Sequence, residues 1–173
     1  MKLIRAEISD LQRLKAFYDN VTDNTVGMDQ YCRWEKGLYP TSDIIRDHIE
    51  NHSMYILDED NKVLGAMALT EGQDDSYKTV NWNVNAADNE IAVIHILGVN
   101  PALQGLGMGK RMVKYAIDLS AAQNKKAVRL DALSSNVPAQ NMYKSLGFKY
   151  VGTQKFKYDN TGLADFLLFE KAL

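Results

Sequence analysis

The chain is poor in crosslinking and stiffening residues. Cys32 is the only cysteine among 173 residues, so no disulfide can close within the chain, and a lone thiol suits a reducing compartment. Prolines number three, Pro40, Pro101 and Pro138, which excludes a proline-rich linker or tract. No apolar run reaches the ~18 residues of a membrane-spanning helix, and the opening residues Met1 to Glu7 contain no apolar signal-peptide core. Surplus charge of one sign is also missing. Lys and Arg total 20 against 22 Asp and Glu, a formal net charge of −2, without the basic excess that nucleic-acid binding favours. The length suits one domain with a full core. The expectation is a single domain, 1–173, in the cytoplasm, with neither nucleic acid nor membrane as partner.

What is present is an alternation of strand and helix patterns. Residues 2–8 read as a strand. Ser9-Asp10 offers an N-cap, and Leu11, Leu14, Phe17 and Tyr18 follow at helical spacing. A second helix is predicted over 28–36, ended by Gly37, and a third after Thr41-Ser42-Asp43. Residues 54–57 and 63–69 form a hairpin around Asp58-Glu59-Asp60-Asn61. The polar stretch 72–89 has room for a short strand or helix near Val80-Asn81-Trp82. Residues 91–99, the most apolar stretch, read as a central strand buried on both faces. A helix over 107–123 should turn Val113, Ala116, Ile117 and Ser120 or Ala121 inward. Then come a strand (128–133), a helix (137–146) and two closing strands (148–153 and 163–169). This is a mixed sheet flanked by helices, of the α/β or α+β class.

Chemistry is concentrated in Gln104-Gly105-Leu106-Gly107-Met108-Gly109-Lys110, between a strand and a helix. Glycine permits positive φ and close backbone approach. The helix start adds unpaired N–H groups and a positive dipole end, which together hold phosphate oxygens. Lys110, Arg111 and Lys114 add charge on the same helix. It is not a Walker P-loop, because Gln104 stands where that motif needs Gly and Arg111 where it needs Ser or Thr. Nor is it G-x-G-x-x-G, because Lys110 or Met112 takes the third glycine position. Gln104-x-x-Gly107-x-Gly109 resembles the Arg/Gln-x-x-Gly-x-Gly/Ala loop of the GNAT family of N-acetyltransferases.

A second run, Asn136 to Phe148, resembles the same family's Asn-x-x-Ala-x-x-x-Tyr-x-x-x-Gly-Phe signature, matched at Asn136, Ala139, Tyr143, Gly147 and Phe148. From the residues alone, Asn136 is an N-cap, Pro138 belongs in a first turn, and Met142 and Leu146 are core. The two motifs and their strands cover roughly residues 90–152; the N-terminal half matches only in layout.

The resemblance implies a mostly antiparallel sheet and acetyl transfer from acetyl-CoA, as cosubstrate and without a metal, to a small-molecule or peptide amine. It places the diphosphate of the cofactor on backbone amides of Gln104, Gly105, Leu106, Gly107, Met108, Gly109 and Lys110. The pantetheine arm falls along Leu97, Gly98 and Val99 and near Asn136. Tyr143 lies near the sulfur, where it can protonate the thiolate. Gly98, inside a strand, suggests a bulge or a ligand close to the backbone, and a freed N–H at Leu97 to Val99 suits an oxyanion.

His95 is a candidate base, because imidazole titrates near working pH, and some family members acting on arylalkylamines carry a His at the matching place. Others use Glu or water, and the base stays open; Glu90 is a weaker alternative. By the same resemblance residues 22–39 and 72–90 shape the acceptor pocket, with Trp34, Tyr39, Tyr77 and Trp82 as candidate walls and Asp74, Asp75 and Asp88 as candidate attractors of a cationic amine. Cys32 reads as a packed residue, and no His, Cys or carboxylate spacing suggests a metal. Two other readings stand beside this one, a non-catalytic acyl-CoA-binding module and a nucleotide-binding protein. The acceptor, the acyl length and homodimer formation are open.

Overall fold

A computed structural model describes residues 1–73, 75–77 and 79–173. Seven strands form one sheet: β1 (Lys2–Arg5), β2 (Met54–Glu59), β3 (Lys62–Glu71), β4 (Ile91–Val99), β5 (Ala127–Leu133), β6 (Lys149–Tyr158) and β7 (Gly162–Ala172). Their order is β1-β2-β3-β4-β5-β7-β6. Only β4 and β5 pair in parallel; every other neighbour is antiparallel. The single parallel junction follows from the crossover helix between those two strands, since a parallel return needs a long connection.

Among the described residues five α-helices cover the sheet: α1 (Leu11–Asn24), α2 (Met28–Tyr31), α3 (Ser42–Glu50), α4 (Met108–Ala122) and α5 (Val137–Ser145). On one face α1 buries Leu14, Phe17, Tyr18 and Val21, spaced i, i+3, i+4, i+7, beside Ile45 and Ile49 of α3. On the other, Met112, Val113 and Ala116 of α4 pack with Tyr143 of α5, Phe148 and Phe169. Thr41 caps α3 by accepting the Ile44 N–H at 3.2 Å.

Several boundaries differ from the sequence reading. The helix expected over 28–36 stops at Tyr31, because Arg33 takes a left-handed φ of 54°, which no helix continues through. The opening strand ends at Arg5 rather than residue 8, where a 3₁₀ turn begins. No regular element forms at Val80-Asn81-Trp82. The buried stripe of α4 is Met112, Val113, Ala116 and Ser120; Ile117 is half-buried and Ala121 exposed. Met142 and Leu146 are only partly buried, and Gln140 and Tyr143 are the buried members of α5.

Two irregularities in β4 shape everything downstream. Opposite β3, Ala66 faces Gly98 and Ala68 faces His95. One residue, Met67, therefore lies against two, Ile96 and Leu97, which is a β-bulge. Ile96 has φ 43°, a costly conformation for a β-branched residue. The buried hydroxyl of Tyr18 donates to the Ile96 carbonyl at 2.7 Å and holds it there. The bulge thus falls at Ile96 and Leu97, just before Gly98, where the sequence suggested either a bulge or a ligand close to the backbone. A Cβ on Gly98 would stand 3.3 Å from Phe17 and 3.4 Å from Tyr18, so that glycine admits the rings of α1. The second irregularity is a parting: β4 pairs with β5 only from Ile91 to Val93, against Ala127 to Arg129.

At the last paired position before the parting, one buried network braces β5. Arg129 donates to Glu170 of β7 at 2.9 Å, and Glu170 also accepts the Asn83 and Val84 N–H groups. Arg129 lies 4.2 Å from the centre of the Trp82 ring. Trp82, expected in the acceptor pocket, serves here instead.

Replacing Tyr18 with Phe should lower unfolding free energy by about 1–3 kcal/mol, the cost of stranding a buried carbonyl. Urea titration measures this, and an unchanged midpoint would show that the bulge holds itself.

Candidate active site

The gap between the parted strands opens into two joined cavities. The larger, about 540 Å³, runs from the glycine loop along Leu97, Gly98 and Val99 to α5. The smaller, about 130 Å³, lies between the ends of β4 and β5. Both are walled in part by Leu97, Cys32, Trp34, Asn136 and Tyr143, so those residues mark the junction.

The glycine loop is built to present donors. Asn100 accepts the Ala102 N–H through Oδ1, and Pro101 starts a short 3₁₀ turn. Gly105 and Gly107 then take φ of 78° and 80°, where a Cβ is disfavoured on conformational grounds although space is open around both. Gly109 is needed for packing, since a Cβ would meet the Met142 sulfur at 2.9 Å. Among the described residues, the N–H groups of Gly105, Gly107, Met108, Gly109 and Lys110 donate to no protein acceptor. Five donors converging on a helix start make an anion site. Lys110, Arg111 and Lys114 form no ion pair among the described residues. The Gln104 side chain donates to Thr25 at 3.2 Å and ties the loop to the end of α1. Leu106 points to solvent, 66% exposed, and its N–H is used by Leu103 at 3.3 Å; of the expected loop residues it is the one absent from the cavity wall.

Asn136 has two bonds. Its Oδ1 accepts the Ala139 N–H at 3.2 Å, capping α5, and its Nδ2 donates to Cys32 Sγ at 3.2 Å. Burial pushes the Cys32 thiol up to about 11 despite that bond, so it stays protonated and is a poor acyl acceptor. Tyr143 packs against Phe148 and Phe169. Its hydroxyl has no hydrogen-bond partner among the described residues and faces the junction. Burial, followed by the charges of Cys32 and Asp131, pushes its pKa well above the ordinary phenol value. The hydroxyl therefore keeps its proton.

His95 is half-buried on the wall of the smaller cavity, its Nε2 3.1 Å from Thr70 Oγ1 and its ring stacked 6.1 Å from His48. Glu90 sits outside, paired with Lys126 at 2.7 Å. Trp34 and Tyr39 line the smaller cavity as expected, while Tyr77 lies behind its wall. Asp75 and Asp88 line neither cavity, and Asp74 falls outside the described residues.

The sequence reading missed Asp131. Its carboxylate lines the smaller cavity and accepts the Tyr77 hydroxyl. Burial raises its pKa to about 6, against the opposing Tyr77 bond. The available signal was a lone acid in the apolar strand Ala127–Leu133, immediately before the second motif. Tyr158 and Phe166, from the closing strands, complete the wall.

Among the described residues no group of three or more His, Cys, Asp or Glu could hold a metal ion, and no helix is long and apolar enough to cross a membrane.

The model of the acetyltransferase (GNAT) family matches residues 13–148. A stretch of 69 residues is 33% identical to N-alpha-acetyltransferase RimI of Mycobacterium tuberculosis, covering 40% of this chain and 42% of that protein. The chain spans less than half the length of the curated relatives it matches. An acetyltransferase of the GNAT family from Streptococcus agalactiae superposes with a TM-score of 0.79 at 18% identity, over 99% of this chain and 95% of that one. The yncA protein of Salmonella typhimurium, solved with its cofactor acetyl-CoA, superposes at 0.71 with 17% identity, over 100% of this chain and 94% of that one.

The raised Asp131 pKa fixes the sign of a stability effect. The folded state holds this proton more tightly than the unfolded chain, so the contribution is complete below the unfolded carboxylate value and lost as pH rises through about 6. Asp131→Asn keeps an acceptor for Tyr77 and should raise the melting temperature by roughly 5 °C at about pH 7.5, but by little at about pH 4. A variant no more stable than the parent at the higher pH would contradict the assignment.

Proposed function

This chain belongs to the acetyltransferase (GNAT) family, and from that premise we propose that it transfers an acetyl group from acetyl-CoA to a primary amine, by direct attack while both are bound. The observation that carries the reading is the row of five unpaired amides, Gly105, Gly107, Met108, Gly109 and Lys110, opening onto a cavity that ends at the Tyr143 hydroxyl.

The residues present fit the cosubstrate. The amides and Lys110 suit a diphosphate, and the mostly apolar channel past Met28, Leu97 and Val99 suits an extended arm. Asn136 stands beside that channel and fixes the start of α5. Bound acetyl-CoA would supply an activated acyl carbon at the junction.

The chain's own groups then manage orientation and protons. The bulge takes Ile96 and Leu97 out of register with β3, and Leu97 lines the junction, where a freed N–H would stabilise an oxyanion. His95 or a water receives the proton that the amine sheds. Tyr143, held protonated, donates to the departing thiolate. The amine enters from the smaller cavity, and the protonated Cys32 thiol leaves no need for an acyl-enzyme step.

Calorimetry with acetyl-CoA tests the first half of this; absence of binding would end the proposal. Gly107→Val, at φ 80°, should weaken that binding by about tenfold or more. Tyr143→Phe should lower kcat by about 10- to 100-fold while the acetyl-CoA Kd stays within about twofold of the parent. Unchanged turnover would remove Tyr143 from the chemistry.

A further inference from the structure

The smaller cavity has a chemical character that the transfer reaction alone does not require. Its rings form a continuous belt. Trp34 and Tyr39 have centroids 6.1 Å apart, Tyr39 and Tyr158 6.3 Å, and Tyr158 and Phe166 5.4 Å. Within this belt stands one carboxylate, Asp131, gripped by the Tyr77 hydroxyl from behind. Among the described residues no cation pairs with it. The nearest buried guanidinium on the same strand, Arg129, is consumed by Glu170.

A carboxylate half-buried among rings gains from a cation beside it, and none of the described residues supplies one, which leaves that place to an occupant of the cavity. Aromatic faces favour an ammonium too. Equally telling is what the wall lacks. None of its described residues is Lys or Arg, and its one imidazole, His95, is bonded through Nε2 to Thr70. A carboxylate carried in on a substrate would meet no guanidinium or ammonium there, and would face Asp131 as a like charge.

We propose that the acceptor is a cationic primary amine with no carboxylate next to its nitrogen, its ammonium drawn to Asp131 and its stem packed against the belt of Trp34, Tyr39, Tyr158 and Phe166. Asp131 is then a specificity-determining residue. The α-amino groups of free amino acids are excluded as acceptors, while decarboxylated amines, diamines and lysine-like side chains fit. This deepens the acetyltransferase reading and rests on it. The raised proton affinity of Asp131 accords with a carboxylate still waiting for its counter-ion.

The test uses the full chain, acetyl-CoA and two matched pairs, tyramine with tyrosine and agmatine with arginine, in which each member differs only by the carboxylate beside the amine. Thiol release gives kcat/KM, and calorimetry gives the acetyl-CoA Kd separately. In at least one pair the decarboxylated member should be preferred by about 100-fold. Asp131→Asn should lower its kcat/KM by about 10- to 100-fold and shrink the preference, with the acetyl-CoA Kd unchanged. Equal use within both pairs, use of none of the four amines, or an Asp131→Asn variant with parental kinetics overturns the proposal. If acetyl-CoA binds in any of those cases, the family reading survives; if it does not bind, that reading falls first. The parental enzyme's pairwise preference decides the matter even if the variant does not fold.

Discussion

One hydrogen bond, from the Tyr18 hydroxyl to the Ile96 carbonyl at 2.7 Å, fixes the point where the sheet stops being a sheet. β4 must leave its partner after Val93, and a strand that leaves a partner exposes backbone groups that cannot stay unpaired in an apolar interior. The bulge at Ile96 and Leu97 turns one of those groups toward α1, where a phenol receives it. Gly98 then lets the rings of Phe17 and Tyr18 approach closely enough to do so. The parting after Val93 and the bulge at Ile96 and Leu97 together shape the two cavities.

From that opening follows a division of labour. The side toward α4 is made of main-chain donors and small residues, and its character comes from backbone conformation at Gly105 and Gly107. The side toward the closing strands is made of rings and one acid, and its character comes from side chains. Asn136 joins the two, capping α5 with its oxygen and holding Cys32 with its nitrogen. Tyr143 stands at the same junction because α5 begins and ends where Asn136 and Gly147 dictate.

The parts of the site made by short, local chemistry were legible in the sequence. The glycine loop and the run from Asn136 to Phe148 have fixed spacings, and each residue's role within its turn depends on neighbours a few positions away. The mixed sheet with flanking helices was likewise readable from periodicity. What was not legible depends on distant partners. The bulge sits at Ile96 because Tyr18, 78 positions away in sequence, bonds to it; Gly98 looked the better place on local grounds. Asp131 sits in a strand pattern that gives no sign of Tyr77 behind it or of Tyr158 and Phe166 beside it. Trp82 and Arg129 form a brace rather than a binding wall, a pairing that only the fold reveals. The helix expected through residue 36 had a suitable pattern, but Arg33 turns left-handed, and that turn carries Trp34 and Tyr39 into the cavity.

The segment from Gln30 to Tyr39 is tethered in part through its main chain. Ser135 donates to the Gln30 carbonyl at 2.5 Å, and Asn160 donates to the Arg33 carbonyl at 2.9 Å. These two tethers grip main-chain oxygens, which every amino acid supplies, whereas Asn136 and Asp23 hold the side chains of Cys32 and Lys36. The side chains that this segment sends into the cavity can therefore be exchanged while its path is kept. Variation in the shape of the smaller cavity has a local route here, one that leaves the glycine loop and the sheet untouched.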